Sequence, residues 1–208
     1  MAQFFDIHPE HPQPRLVKQA AEIVRGGGLI AFPTDAAYAL GGQTGDAQLL
    51  KRIRRIRGVD DHHLFTLMCR DLSEIATYAR VDNAQYRFLK SFTPGGYTFI
   101  LEGSRELPRR VLHPKRKTIG IRVPDHVLSL ALLEALGEPL LVSTLLLPDS
   151  DLPLTDTDDI RHKLEKRVDL VIESGHCGIG MTTIVDLSEI PARLIRAGCG
   201  PVAPLGLE

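Results

Sequence analysis

Apolar positions recur at two spacings along this chain, and the switches between them mark its elements. Leu16, Val17, Ala20, Ala21, Ile23 and Val24 share one face at helical spacing, with Arg15, Lys18, Gln19, Glu22 and Arg25 opposite. This predicts an amphipathic helix over 15–25, stopped by the glycine triplet 26–28. The apolar run 29–32 reads as a buried strand, and Pro33 closes it because proline has no N–H for a ladder. Leu49, Leu50, Ile53 and Ile56 mark a second helix capped near Asp46. Further strands are predicted at 66–68, 97–101, 118–123, 140–147, 170–172, 183–186 and 194–196, and helices at 82–92, 128–136 and 157–168. Pro94-Gly95-Gly96 is a turn, and 148–157 a surface connection. Strands and helices alternate at short intervals, which predicts a twisted, mixed open sheet with flanking helices, of the α/β (α+β) class.

Composition changes this picture little. With 208 residues, 43% hydrophobic and 25% charged, the chain fits one ordinary globular domain. A net charge of −1 argues against bulk attraction to nucleic acid or membrane and leaves room for a local basic face. No apolar run approaches the roughly 20 residues of a membrane span. The first residues lack the basic start and apolar core of a secretory signal, and Cys69, Cys177 and Cys199 make a poor disulfide framework, so a cytoplasmic location is expected. Cys69 reads as a small buried hydrophobe. His62 and His63 are adjacent and diverge, while His113, His126, His162 and His176 are scattered, so no metal site is expected. There is no P-loop, dinucleotide fingerprint or Ser-His-Asp order.

Candidate chemistry starts at the mouth of the 29–32 strand. Thr34 and Asp35 offer a hydroxyl and a carboxylate that can hold a small ligand such as an amino acid, and Gly41-Gly42 lets the backbone bend or approach something closely. The same segment also reads as strand, turn and helix cap with no ligand. Basic residues fall in two clusters, Lys51, Arg52, Arg54, Arg55, Arg57 and then Arg105, Arg109, Arg110, Lys115, Arg116, Lys117, Arg122. Brought to one face they form a groove for phosphates; kept apart they are two solvated faces. If the groove binds RNA, Arg52, Arg55, Arg110 and Lys115 are expected at its rim. Arg122 ends an apolar strand, where burial demands a partner: a ligand anion or an internal acidic residue. Arg196 is placed similarly.

Taken in order, several motifs resemble the YrdC-like family. They are Pro33-Thr34-Asp35 with Tyr38-Ala39-Leu40-Gly41, Thr93-Pro94-Gly95-Gly96-Tyr97-Thr98, the segment 117–124, Thr182-Thr183-Ile184-Val185-Asp186 and Leu194-Ile195-Arg196-Ala197-Gly198. The segments 65–72, 97–101 and 132–139 resemble its YciO branch. The resemblance implies one YrdC-like domain over 1–208, with its core at about 14–200 and a concave basic groove. It also implies an activity of the threonylcarbamoyl-AMP synthase type, a nucleotidyl transfer joining threonine, bicarbonate and ATP in tRNA modification. ATP would come with Mg²⁺ as its counter-ion, and no tightly bound cofactor is implied. The alternative is a protein of the same fold that binds double-stranded RNA or tRNA without efficient catalysis.

Carried over by position, Thr34 would help hold threonine, and Thr66 and Arg122 match groups around the carbamate and adenylate. Arg57 matches the lysine of the family's K-x-R motif and, with Arg122, would be a catalytic cation. Thr144 matches the serine of the S-x-N motif, Thr182 and Thr183 the serine-threonine pair before the late strand, and Arg196 an arginine near the nucleotide. Val59, Asp60 and Leu146 depart from the basic, proline and asparagine positions of those motifs.

Overall fold

The computed structural model describes every residue except Asp149, His176 and Glu208, so His176 and one residue of the 148–157 connection lie outside the described residues. In chain order the elements are β1 (Gln3–Asp6), α1 (Pro14–Arg25), β2 (Ile30–Phe32), β3 (Ala39–Gln43), α2 (Ala47–Arg57), β4 (Thr66–Met68), α3 (Leu72–Tyr78), β5 (Ala79–Arg80), α4 (Asn83–Phe92), β6 (Tyr97–Gly103), β7 (Thr118–Arg122), α5 (Val127–Leu136), β8 (Leu140–Thr144), α6 (Thr157–Leu164), β9 (Leu170–Glu173), β10 (Thr183–Asp186) and β11 (Arg193–Arg196). The strands form one mixed sheet in the order β1-β9-β2-β3-β8-β4-β7-β6-β10-β11, with β5 paired to β6.

Side-chain alternation sorts the core into two layers. Ile30, Phe32, Met68, Leu140, Val142, Leu170 and Ile172 pack with α1 and α5 on one face. Ala31, Leu67, Leu141 and Val171 pack with α2 and α6 on the other. The predicted cap is present, with Asp46 accepting from Gln48 N, and Asp82 adds a capping box with Gln85.

The departures have local causes. The strand expected over 140–147 stops at Thr144, where Leu146 N turns back to Thr144 O at 2.9 Å. The helix expected over 157–168 ends at Leu164, and the chain turns so that Asp169 N reaches Leu29 O at 2.8 Å. Of the two readings of Gly41-Gly42, a bend or a close approach, the structure takes the second, in the interior of β3 paired to β2 and β8. Glycine is required there by close approach. A Cβ at Gly41 would lie 2.9 Å from Phe32 Cε1, and one at Gly42 would lie 2.5 Å from Leu49 Cδ1. The short α3 and the edge strand β1 carry too few periodic positions to stand out in sequence.

This layering positions the site. β4, β7 and β6 continue the face that α1 and α5 cover, but here the residues are Thr66, Gly120 and Thr98 rather than aliphatics. The register pairs Thr66 with Gly120 and Thr66 with Val142. The result is a polar floor beside the edge of the helical layer.

Candidate functional site

A cavity of about 40 Å³ lies over that floor. Its lining brings together Thr34, Thr66, Arg122, Thr144 and Thr182 of the sequence-predicted set and adds Thr98 and Ser143. Gly120 keeps it open, because a Cβ there would sit 3.0 Å from Thr98 Cγ2 and 3.3 Å from Thr66 Oγ1. Thr98 and Thr182 hydroxyls bond across the floor at 2.8 Å. Thr34 closes its own turn: Oγ1 donates to Ala37 O at 2.7 Å and accepts from Ala36 N and Ala37 N at 3.1 and 3.2 Å. Those bonds use its donor and both acceptor sites, so Thr34 shapes the cavity wall. Thr183 faces away, between Gly200 O at 2.5 Å and Gly198 N at 2.9 Å, and fixes the loop after β11.

Arg122 finds an internal partner. Its Nη2 pairs with Asp35 Oδ1, and both side chains are almost sealed, at 6% and 11% exposure. The pair is half-used: Arg122 Nε and Asp35 Oδ2 are buried with no hydrogen-bond partner among the described residues. Arg122 lines the cavity and Asp35 does not, and the two unpaired atoms leave the pair short of its full hydrogen-bonding capacity. Behind the turn, Ser129 Oγ of α5 donates to Pro33 O at 3.2 Å, and His126 Nδ1 accepts from Ser129 N at 3.4 Å.

Arg57, at the end of α2, donates through Nη1 to Ser143 Oγ at 2.7 Å and contacts His63 Nε2 at 2.9 Å; its Nε reaches Leu146 O at 3.4 Å. Leu146 thus contributes its carbonyl here. Arg196 donates to Thr182 O, at 2.8 Å from Nη2 and 3.3 Å from Nε. Burial, and then the charge of Arg196, push the Arg57 pKa down. Burial also lowers that of Arg196. Neither has a carboxylate partner among the described residues. Sequence reasoning missed His63 and Ser143; the one signal for Ser143 was a polar residue in an apolar strand.

Burial, then the charges of Arg57 and Arg54, lower the His63 pKa to about 4, against the opposing pull of Asp60. Burial likewise lowers that of His126. Stability from these two neutral imidazoles is therefore complete above pH 6.5 and is lost as pH falls, because the unfolded chain then takes up protons that the folded one excludes. For His63 the loss by pH 4 is about 1–2 kcal/mol after allowance for partial exposure. Melting curves between pH 7.5 and 4 should show this decline, and His63→Gln should flatten it. A parent equally stable at pH 7 and 4.5 would contradict it.

The structure divides the basic residues differently from either sequence cluster. Arg54, His62, His63, Arg109, Arg110 and Lys117 line a groove of about 260 Å³ on the far side of His63, with Asp61 held 3.3 Å from Arg54. A neighbouring groove shares Arg109 and Lys117 and adds Arg80 and Arg105. Arg110 belongs here, but Arg52 does not. Arg52 is tied to Asp169 at 2.7 Å and Arg167 O at 3.2 Å, at the start of β9. Arg55 and Lys115 are exposed and line neither groove. Cys69 is fully buried, as expected.

A family model described as telomere recombination, spanning Sua5, YciO and YrdC proteins, matches residues 22–198. The protein YciO of Escherichia coli K12 is 53% identical across 98% of this chain and 99% of its own length. Its crystal structure superposes with a TM-score of 0.95, covering 99% of this chain and 100% of that one. A threonylcarbamoyl-AMP synthase of Pyrococcus abyssi is 28% identical over 89% of this chain and 55% of that protein. The crystal structure of P. abyssi Sua5 complexed with L-threonine shares the fold at a TM-score of 0.85 and 24% identity, covering 94% of this chain and 57% of that one.

Proposed function

Because the chain belongs to the Sua5/YrdC/YciO family, we propose that its cavity binds threonine and ATP and joins them through bicarbonate, in a reaction of the threonylcarbamoyl-AMP synthase type. The threonine ammonium first gives a proton to solvent, and the resulting amine nitrogen bonds to the bicarbonate carbon as water leaves. A carbamate oxygen then attacks the α-phosphorus, and pyrophosphate departs with the electrons of the broken P–O bond. The half-used Arg122–Asp35 pair carries this reading. Arg122 lines the cavity, and its Nε, which has no hydrogen-bond partner among the described residues, can donate to a carboxylate or carbamate oxygen, while Asp35, outside the lining, holds the guanidinium. Arg57 and Arg196, two guanidiniums lacking carboxylate partners among the described residues, suit a polyphosphate that offsets their mutual repulsion. Thr66 and Thr144 line the cavity, whereas Arg57 and Arg196 lie outside its lining and meet it through Ser143 and Thr182. Mg²⁺ arrives with ATP as its counter-ion; its charge would add to that of the arginines on the phosphates. The test is ATP-dependent pyrophosphate release with and without threonine and bicarbonate. Release that needs both supports the reading, and no release from a folded protein removes it.

The basic groove favours a second reading, RNA binding without catalysis. Arg54, Arg109, Arg110 and Lys117 present cations around an apolar floor of Phe65, Val111 and Leu112. Affinity for double-stranded RNA should fall steeply with salt as counter-ions are released, and Arg110→Ala should reduce that slope by about one. Affinity independent of salt would exclude a phosphate-binding groove.

A further inference from the structure

Arg57 reaches the cavity wall without a carboxylate to orient it. Its Nη1 lies 2.7 Å from Ser143 Oγ and 2.9 Å from His63 Nε2, and those two atoms are 3.1 Å apart. A guanidinium only donates, so His63 must present a bare Nε2 and carry its hydrogen on Nδ1. The imidazole plane is fixed from the side by Phe65, edge-on at 5.3 Å and 84°. Phe65 in turn lies under Arg54, whose guanidinium carbon is 5.3 Å from the ring centre.

A serine bonded to a histidine invites a nucleophile-and-base reading. The contacts oppose it. Nε2 already accepts from Arg57, and an imidazole that protonates only near pH 4 is a weak base at neutral pH. The arrangement serves the guanidinium instead. Nη1 directs its two hydrogens at Ser143 and His63, Nε is held by Leu146 O, and Nη2 has no hydrogen-bond partner among the described residues. Ser143 lines the cavity and His63 lines the basic groove, so the clamp stands in the wall between them.

We infer that His63 is a positioning residue: with Ser143 it clamps Nη1 of Arg57 as a neutral acceptor and leaves the Nη2 edge to bind an oxyanion. The inference rests on the proposed nucleotide chemistry for its ligand, but the clamp itself can be read without one. Nitrogen NMR of the parent protein should show His63 Nε2 unprotonated and the ring neutral at pH 6, with Arg57, Arg54 and Asp60 as the charges around it. In calorimetry with inorganic pyrophosphate, His63→Leu should weaken binding about ten-fold, while His63→Gln, whose amide oxygen can accept, should stay within about three-fold of the parent. Rescue by glutamine separates positioning from mere packing. Equal pyrophosphate affinity in the parent and His63→Leu, or a parent His63 protonated on Nε2 at pH 6, would overturn the inference. A parent that binds no pyrophosphate would count against the nucleotide reading alone, and the imidazole signals would then decide the clamp.

Discussion

Replacing Asp35 by alanine is expected to lower folding stability by about 3–5 kcal/mol, a fall of roughly 10 °C in melting temperature for a chain of this size. Arg122 is buried, and Asp35 is the carboxylate that pairs with it. A guanidinium stays charged at any accessible pH, so without Asp35 the positive charge remains in the sheet with Nε already lacking a partner. The reverse variant, Arg122→Ala, should cost less below neutral pH, because the stranded carboxyl can take up a proton. The double variant should cost less than the sum of the two, since it removes both charges. Urea denaturation of the three variants at pH 7 and pH 5 measures all of this. A loss under 1 kcal/mol for Asp35→Ala would mean that Arg122 is adequately solvated without its partner. Ligand binding should be lost in all three, including any that folds well, because Arg122 is also the proposed contact for threonine and Asp35 is what holds it.

Arg57→Ala is expected to reduce pyrophosphate release by about 10²–10³-fold while changing stability little. A cation aimed at charge that develops on the phosphates contributes most in a water-poor site. Arg57 already bears the burden of burial and of Arg196 nearby, so its removal relieves repulsion in the unliganded protein. Loss of activity with an unchanged or raised melting temperature is thus the signature of a catalytic cation. Arg57→Lys should retain more activity than alanine but remain at least ten-fold below the parent. A lysine keeps the charge but cannot bond Ser143 and His63 through one nitrogen while offering a second to the ligand. Unchanged turnover in Arg57→Ala would remove the residue from the mechanism.

How the candidate site arises shows what each level of description contributes. The periodicity of the apolar residues determined α1, α2, α4 and α5, the short buried strands other than β3, and the mixed α/β class, because a helix or strand with one apolar face has few ways to bury it. The ordered motifs determined the family and pointed to Thr34, Thr66, Arg122, Thr144 and Thr182, which the fold then brought to one cavity. Sequence also stated the terms for Arg122, which needed either a ligand anion or an internal acid, but could not choose between them. Only tertiary structure supplied Asp35 as that acid and left one atom of each partner unpaired, because the choice depends on how the turn after β2 meets the end of β7. It likewise turned the hydroxyl of Thr34 onto its own turn, sent Arg52 to Asp169 and gathered Arg54 with Arg110. The clamp on Arg57 is the clearest case. His63 and Ser143 are 80 residues apart and neither stands in a recognisable pattern. Hydrogen bonds of this kind depend on ångström-scale placement between elements that the sheet order makes neighbours, and residue spacing along a chain carries no record of that placement.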